Sequence, residues 1–490
     1  MNIPKLTSIL NNSLFYLLLF LFAFIPLYPK FPLFNIPGVF VAVRIEDLLI
    51  ALVAAIWLIF IWISKEWVIL TKDNIFKAFA LFFFIGLLSL FSAIFLTHTI
   101  VLHLGLLHFF RRIEFILLLP ICATVFTTKK RLTFATGVLL LTLLTVNIYA
   151  LGQQYLDWPV ISTTNSEFSK GLILKLTPDA RANSTFAGHY DLAVYLAIAL
   201  VFLSVIFFIV KKFWKILILA LGGFSLFVLI LTAARVSFVA AFVGVISALF
   251  FAKKKKYLIP IFIILISVGA YPSQLRDRFV STITVNLLNL GQRYEGRNLN
   301  QQLESKLNIP TLPYKMASRS ALVSPFASAT AGIPVDITPG EPINEVDLAV
   351  YRSFQIRLNI EWPRAANAFL KNPFLGLGYS SLGIATDNDF LRSLGEVGIL
   401  GTFTFFLILL SIWKKIFKGI KNENRMIRFF SAGSLSMIIT FLVNGLFIDV
   451  FEASKVASLF WIMLGLNLAV LNFREPISIT RNGSPLSPRP

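Results

Sequence analysis

Apolar residues in this chain come in long blocks separated by short polar gaps, not in the one-face stripes of a water-soluble helix. Twelve such blocks fall near 12–29, 46–64, 76–96, 111–127, 132–151, 190–210, 214–233, 236–252, 257–272, 396–413, 427–447 and 453–472. A helix rising about 1.5 Å per residue needs roughly 17 to 25 residues to cross about 30 Å of hydrocarbon, which is the length of most of these blocks. The pattern therefore predicts an all-α polytopic membrane protein of about twelve spans. The ninth block is short, and the connection between the third and fourth is ambiguous. The first block lacks a small-residue cleavage site and is followed by many others, so it reads as a retained helix.

Between the ninth and tenth blocks lies a long polar stretch, 272–393, and a shorter one runs from Gly152 to His189. Pro310, Pro313, Pro325, Pro334, Pro339 and Pro342 mark the middle of the long stretch as irregular. From Glu345 to Leu370 the pattern turns helical, with Arg357, Glu361 and Arg364 on one face and Pro363 breaking the helix or starting a second one. "KNPFLGLGYSSLG" then predicts a tight turn, and its glycine spacing is not that of a dinucleotide fingerprint. The organisation expected is N-terminal transmembrane helices over 1–150, a membrane domain over 151–473 that includes the loop 272–393, and a disordered Pro/Ser-rich tail over 474–490.

Composition agrees with the membrane reading, since 57% of the 490 residues are hydrophobic and 14% are charged. The formal charge of +20 could suggest nucleic acid, but the positions of the basic residues exclude it. Lys129-Lys130-Arg131, Lys211-Lys212, Lys253 to Lys256, Lys414-Lys415 and Lys418 to Arg428 all fall in short gaps that share one side if the N-terminus is cytoplasmic. Both termini are then expected in the cytoplasm and the loop 272–393 on the outer side of the membrane. That loop carries acidic and basic residues in near balance.

Candidate chemistry gathers at the outer ends of the spans. "ATDNDFLRSLGEVGILG", 385–401, places Asp387, Asn388 and Asp389 at the mouth of the tenth span. "LTAARVSFVAAF" leaves Arg235 at a tight turn, and "RANSTFAGHYDLAVYLAIAL" puts Arg181, His189 and Asp191 at the entrance of the sixth span. His98, His103 and His108 are five apart, about 140° around a helix, so they share no face and suit no metal. Cys122, the single cysteine, lies inside a span. Glu114, beside Arg111 and Arg112, is the nearest thing to a charge within a span.

Four segments together, "STFAGHYDLA" (184–193), "TAAR" (232–235), "NPFLGLG" (372–378) and "TDNDFLRSLGEVGILG" (386–401), resemble the O-antigen ligase and O-antigen polymerase family in order and spacing. The resemblance covers roughly residues 150 to 470. It implies a GT-C-like glycosyltransferase architecture in a bacterial plasma membrane. The implied activity is transfer of a glycan from a polyprenyl diphosphate carrier to a sugar hydroxyl on a glycan or lipid acceptor, with inversion and without cofactor or metal. Ligases of the family carry a histidine after the threonine of the last motif, where this chain has Asp387, which favours a polymerase-like or exopolysaccharide branch. Asp387 is then the expected proton acceptor, with Asp389 and Glu396 as substitutes, and Arg235 is the expected stabiliser of the leaving diphosphate. Arg181, His189, Arg357, Arg364, Asn388 and Asp389 are the expected substrate-binding residues. A transporter is the competing reading, and the scarcity of charge within the spans speaks against it.

Overall fold

A computed structural model describes residues 3–29, 31, 33–34, 43–160, 180–287, 353–383 and 385–472. The irregular proline-rich stretch, the start of the helical pattern at Glu345 and the tail 474–490 lie outside the described residues. Helices α1 Ile3–Leu27, α2 Ile45–Ser64, α3 Asn74–Phe91, α4 Leu102–Val125, α5 Lys129–Tyr155, α6 His189–Ile209, α7 Lys212–Leu231, α8 Arg235–Phe251 and α9 Leu258–Ala270 follow in order. Two short helices come next, α10 Gln274–Ser281 and α11 Trp362–Lys371, and then α12 Asp389–Gly419, α13 Arg425–Gly445 and α14 Ser454–Leu471.

Among the described residues, nine helices are long and apolar enough to cross a membrane, so the chain is an all-helical, multi-pass membrane protein. Every block of the sequence pattern sits on a helix, and three of them fall outside those nine for separate reasons. α4 has the length but carries Arg111, Arg112 and Glu114. α8 has 17 residues. α9 is followed, after a bend of 83°, by α10.

The core surrounds α14, which is buried along almost its whole length and packs closely on α4. A Cβ on Gly465 would stand 2.4 Å from the Leu119 carbonyl oxygen, so the absence of a side chain there is what lets the two helices approach. α6, α8 and α13 complete the interior, while α2 and α7 show much of their apolar surface to lipid.

Side-chain bonds tie the helix ends into two opposite faces. On one, Lys455 Nζ donates to the carbonyls of Pro26 (3.1 Å), Tyr28 (2.7 Å) and Thr185 (2.7 Å), and Arg44 donates to Ser454 Oγ at 3.2 Å. This face collects the end of α1 and the starts of α2, α6, α12 and α14. On the other, Lys415 pairs with Asp73 at 2.5 Å, and Arg131 donates to Asn11 (2.6 Å) and Asn12 (2.7 Å). The lysine-rich gaps belong to this second face.

α12 is one apolar block in the sequence and two helical pieces in space. Gly398 breaks it with φ 65° and ψ −170°. The freed backbone groups pair with the "NPFLGLG" turn: Leu377 N–H with Gly395 O (2.9 Å), Gly378 N–H with Glu396 O (2.8 Å) and Ile399 N–H with Pro373 O (2.8 Å). Such pairing is what permits broken helix inside a bilayer, where no water can take the orphan groups. A Cβ on Gly398 would lie 2.4 Å from Phe374 C and O, and one on Gly376 2.4 Å from Glu396 C, so both glycines are demanded by backbone packed on backbone.

Candidate functional site

The motif "TDN" folds around a carboxylate from a distant part of the chain. Asp449, in the turn between α13 and α14, accepts the N–H groups of Thr386 (2.8 Å), Asp387 (3.3 Å) and Asn388 (3.2 Å) and the Arg392 guanidinium (2.7 Å). In return the buried Asp389 carboxylate accepts the N–H of Val450 at 2.8 Å and shares the N–H of Phe451 between its two oxygens, each at 3.4 Å. Each aspartate thus fills the backbone donors of the other's segment. Asn388 caps α12 by accepting from Phe390 (3.1 Å) and Leu391 (3.0 Å), and its amide donates to Leu446 O at 3.1 Å.

Asp387 itself is aimed elsewhere. Its backbone is left-handed, φ 50°, and its carboxylate meets Arg357 Nη2 at 2.6 Å. Burial pushes the Asp387 carboxyl above the usual carboxylate range, Arg357 pulls it down, and the charge of Asp449 pushes it up again. The same contact holds the Arg357 guanidinium in its charged form against the cost of its own burial. Arg357 opens a π turn, Arg357–Glu361, which continues into α11 with Pro363 in its first turn. The predicted single face of Arg357, Glu361 and Arg364 is real, and it lines the 385–387 segment: Arg364 Nη2 donates to Ala385 O at 2.6 Å. Glu361 sits beside Asp387, and its carboxyl is raised to about 6, first by burial and then by the Asp387 charge.

Arg357 is also one of four arginines that converge from four parts of the chain. Arg235 begins α8 after the strained turn at Ala233 (φ 49°), donates to Arg278 O at 3.2 Å and touches Thr282 Oγ1. It lies within electrostatic reach of Arg181, Arg357 and Tyr190. Arg278, on α10, feels Arg181, Arg235 and Tyr190 in turn. Arg181 bonds His189 Nε2 at 2.5 Å. Arg235, Arg278 and Arg357 thus lie within electrostatic reach of Tyr190, and Arg181 and Arg278 within reach of His189, and among the described residues the carboxylate paired with one of the four is Asp387.

A second charged group, close by, is fully answered. Arg392 donates to Glu396 (3.2 Å), Asp449 (2.7 Å) and Gly383 O (2.7 Å). Arg112 pairs with Glu452 and lies 3.6 Å from Glu396, over the Tyr379 ring. These residues line a cavity of about 30 Å³ walled by Phe82, Phe405 and Phe451, room for water but not for a sugar.

The residues expected from the sequence thus divide. Arg235, Arg181, His189, Arg357 and Asp387 are brought together, and Arg364 stands at the edge with an exposed side chain. Asn388, Asp389 and Glu396 spend their polar atoms on the protein's own backbone and arginines. Arg278 and Asp449 were not singled out, and both belong to the site. Ser184 and Thr185 of the "STFAGH" segment anchor backbone, Ser184 to Val146 O (2.7 Å) and Thr185 to Pro26 O (2.6 Å), which fixes Arg181 and His189 on either side. No protein-family model matches this chain, and no curated protein matches it.

Proposed function

We propose that the protein is a membrane glycosyltransferase that moves a glycan from a polyprenyl diphosphate carrier to a sugar hydroxyl at the outer face of a bacterial plasma membrane, in polymerisation or ligation of an envelope polysaccharide. The observation that carries this reading is the gathering of Arg181, Arg278 and Arg357 about Arg235, with Asp387 the carboxylate paired with one of them among the described residues. Like charges crowd in this way at a cost, and an anion with several oxygens offsets it. A diphosphate on a lipid is such an anion, and the lysine-rich opposite face is the side that the positive-inside rule puts in the cytoplasm.

In the proposed step the acceptor hydroxyl oxygen forms a bond to the anomeric carbon as the bond from that carbon to the diphosphate oxygen breaks. The electron pair leaves on that oxygen, where the guanidiniums, Arg235 foremost, stabilise the added charge. The hydroxyl proton passes to a carboxylate, and Asp387 is the one at hand, made more basic by burial.

A secondary transporter is the second reading, favoured by the break in α12 at Gly398 beside the buried Glu396 and Arg392. Purified protein in liposomes, given a labelled polyprenyl-diphosphate oligosaccharide, separates the two. Longer or transferred glycans, lost in Arg235→Ala and Asp387→Ala at equal protein levels, support the enzyme. Transbilayer movement of the lipid without a new glycosidic bond overturns it.

A further inference from the structure

Of the polar groups beyond the arginine cluster, one acts on the site without lining it. We propose that Asp449 is the positioning residue of this site, holding the backbone of residues 386–388 so that the Asp387 carboxylate faces Arg357. This rests on the reading of Asp387 as the proton acceptor.

Four donors converge on Asp449, three from consecutive peptide N–H groups and one from Arg392. Three consecutive N–H groups pointing at one carboxylate require the chain to curl, and the curl is the left-handed turn at Asp387. A non-glycine residue in that region costs of order 1 to 2 kcal/mol and persists where its surroundings hold it. The carboxylate holding it here cannot itself drift, because its neighbours Val450 and Phe451 are pinned by Asp389. Three of the four donors bond Asp449 Oδ2 and the Asn388 N–H bonds Oδ1, so the carboxylate is committed to the protein's own backbone and Arg392, and its effect on the reaction passes through Asp387. Among the described residues, the charged and titratable groups that face Asp387 are Arg357, Glu361, Arg392 and Asp449. Asp449 raises the Asp387 carboxyl by its charge, which gives the arrangement a signature that simple loss of structure lacks.

The test compares Asp449→Ala with Asp449→Asn, since the amide keeps an acceptor oxygen but loses the charge. In the liposome transfer assay, Ala is expected to lower kcat about 100-fold and Asn about 10-fold, with KM for the lipid-linked donor changed by less than about 3-fold. In Asp449→Asn, which keeps the curl, the acid limb of the pH–rate profile moves to lower pH, because Asp387 ionises more readily without a neighbouring negative charge; in Asp449→Ala it moves to higher pH, because Asp387 also loses Arg357, whose charge lowers its carboxyl more than Asp449 raises it. Hydrogen exchange read on peptides spanning 385–391 is expected to speed up in Ala and less in Asn. Wild-type kcat in Asp449→Ala together with an unmoved acid limb in Asp449→Asn overturns the positioning role while leaving the glycosyltransferase reading intact. If wild-type protein transfers no glycan, that reading fails, and unchanged exchange in Asp449→Ala would overturn the positioning role as well.

Discussion

Two groups of arginines lie side by side at the same end of the bundle, and they differ in what answers their charge. Arg112 and Arg392 are met by Glu396, Glu452 and Asp449, and Arg392 also donates to the Gly383 carbonyl. Among the described residues, Arg181, Arg278 and Arg357 lie within electrostatic reach of Arg235, the four bond mainly to neutral groups such as His189, Thr282 and Ser353, and Asp387 is the carboxylate paired with Arg357. A buried cation that is paired and hydrogen-bonded belongs to the frame, and taking one partner away strands the others. Cations that outnumber the carboxylates paired with them among the described residues leave electrostatic potential that an anionic ligand can use. Residue type is the same in the two groups, and Arg392 is buried while the second four are half-buried, so burial and the balance of charge together tell scaffold from site.

The comparison breaks most sharply through stability. Arg392→Ala is expected to cost about 3 to 5 kcal/mol, because Glu396 and Asp449 lose the cation that joins them. A melting temperature in detergent close to wild type would place Arg392 with the functional group instead. Arg235→Ala should do the opposite, leaving melting unchanged or higher while transfer falls by about 100- to 1,000-fold. Inorganic pyrophosphate sharpens the same contrast, since at 100 times its dissociation constant a ligand adds about 2.7 kcal/mol to the folded state. That upward shift should appear in wild type and in Glu452→Gln, and shrink in Arg235→Ala.

Backbone strain gives a smaller effect. Gly398→Ala adds a left-handed alanine and a clash with Phe374, a loss of at least about 1 to 2 kcal/mol by thermal melting, whereas Gly137→Ala, with open space around it, should be silent. The smallest effect is one of pH. Glu361 has a folded value of about 6 against an ordinary 4.5, so the folded protein binds its proton more tightly than the unfolded chain does. Stability from this group is present below about 4.5 and is lost as pH rises through 6. Glu361→Gln should therefore gain melting temperature over wild type at pH 8 and not at pH 4, and an equal change at both would show that Glu361 is not held up by its surroundings.

Much of the fold was legible before any coordinates, because the length of an apolar block is set by bilayer thickness and needs no partner to be read. The blocks at 190–210 and 427–447 became α6 and α13 nearly as drawn. Block 396–413 became α12 but hid a break, since Gly398 in "GEVGILG" looks like any small residue until the turn 372–378 is laid against it. Arg235 was visible because it stands alone between apolar runs. Asp449 was not, although "GLFIDVFEASK" places it and Glu452 in a gap facing the same side: a lone acid in a short turn reads as solvated. Arg278 was hidden by Arg276 and Asp277 beside it, which gave it the look of an ordinary helical surface.

The sequence alone determined that this chain lives in a membrane, how its helices are delimited and at which end of them polar chemistry collects. Those follow from local length, polarity and charge, which each segment carries by itself. Only the tertiary structure decided that Asp389, Asn388 and Glu396 are framework while Asp387 faces an arginine cluster, that Arg278 joins that cluster and that Asp449 holds the backbone beneath Asp387. Whether a charge is spent or available depends on partners that lie, for Asp387 and Asp449, on opposite sides of two transmembrane helices in sequence, and no local pattern records who those partners are.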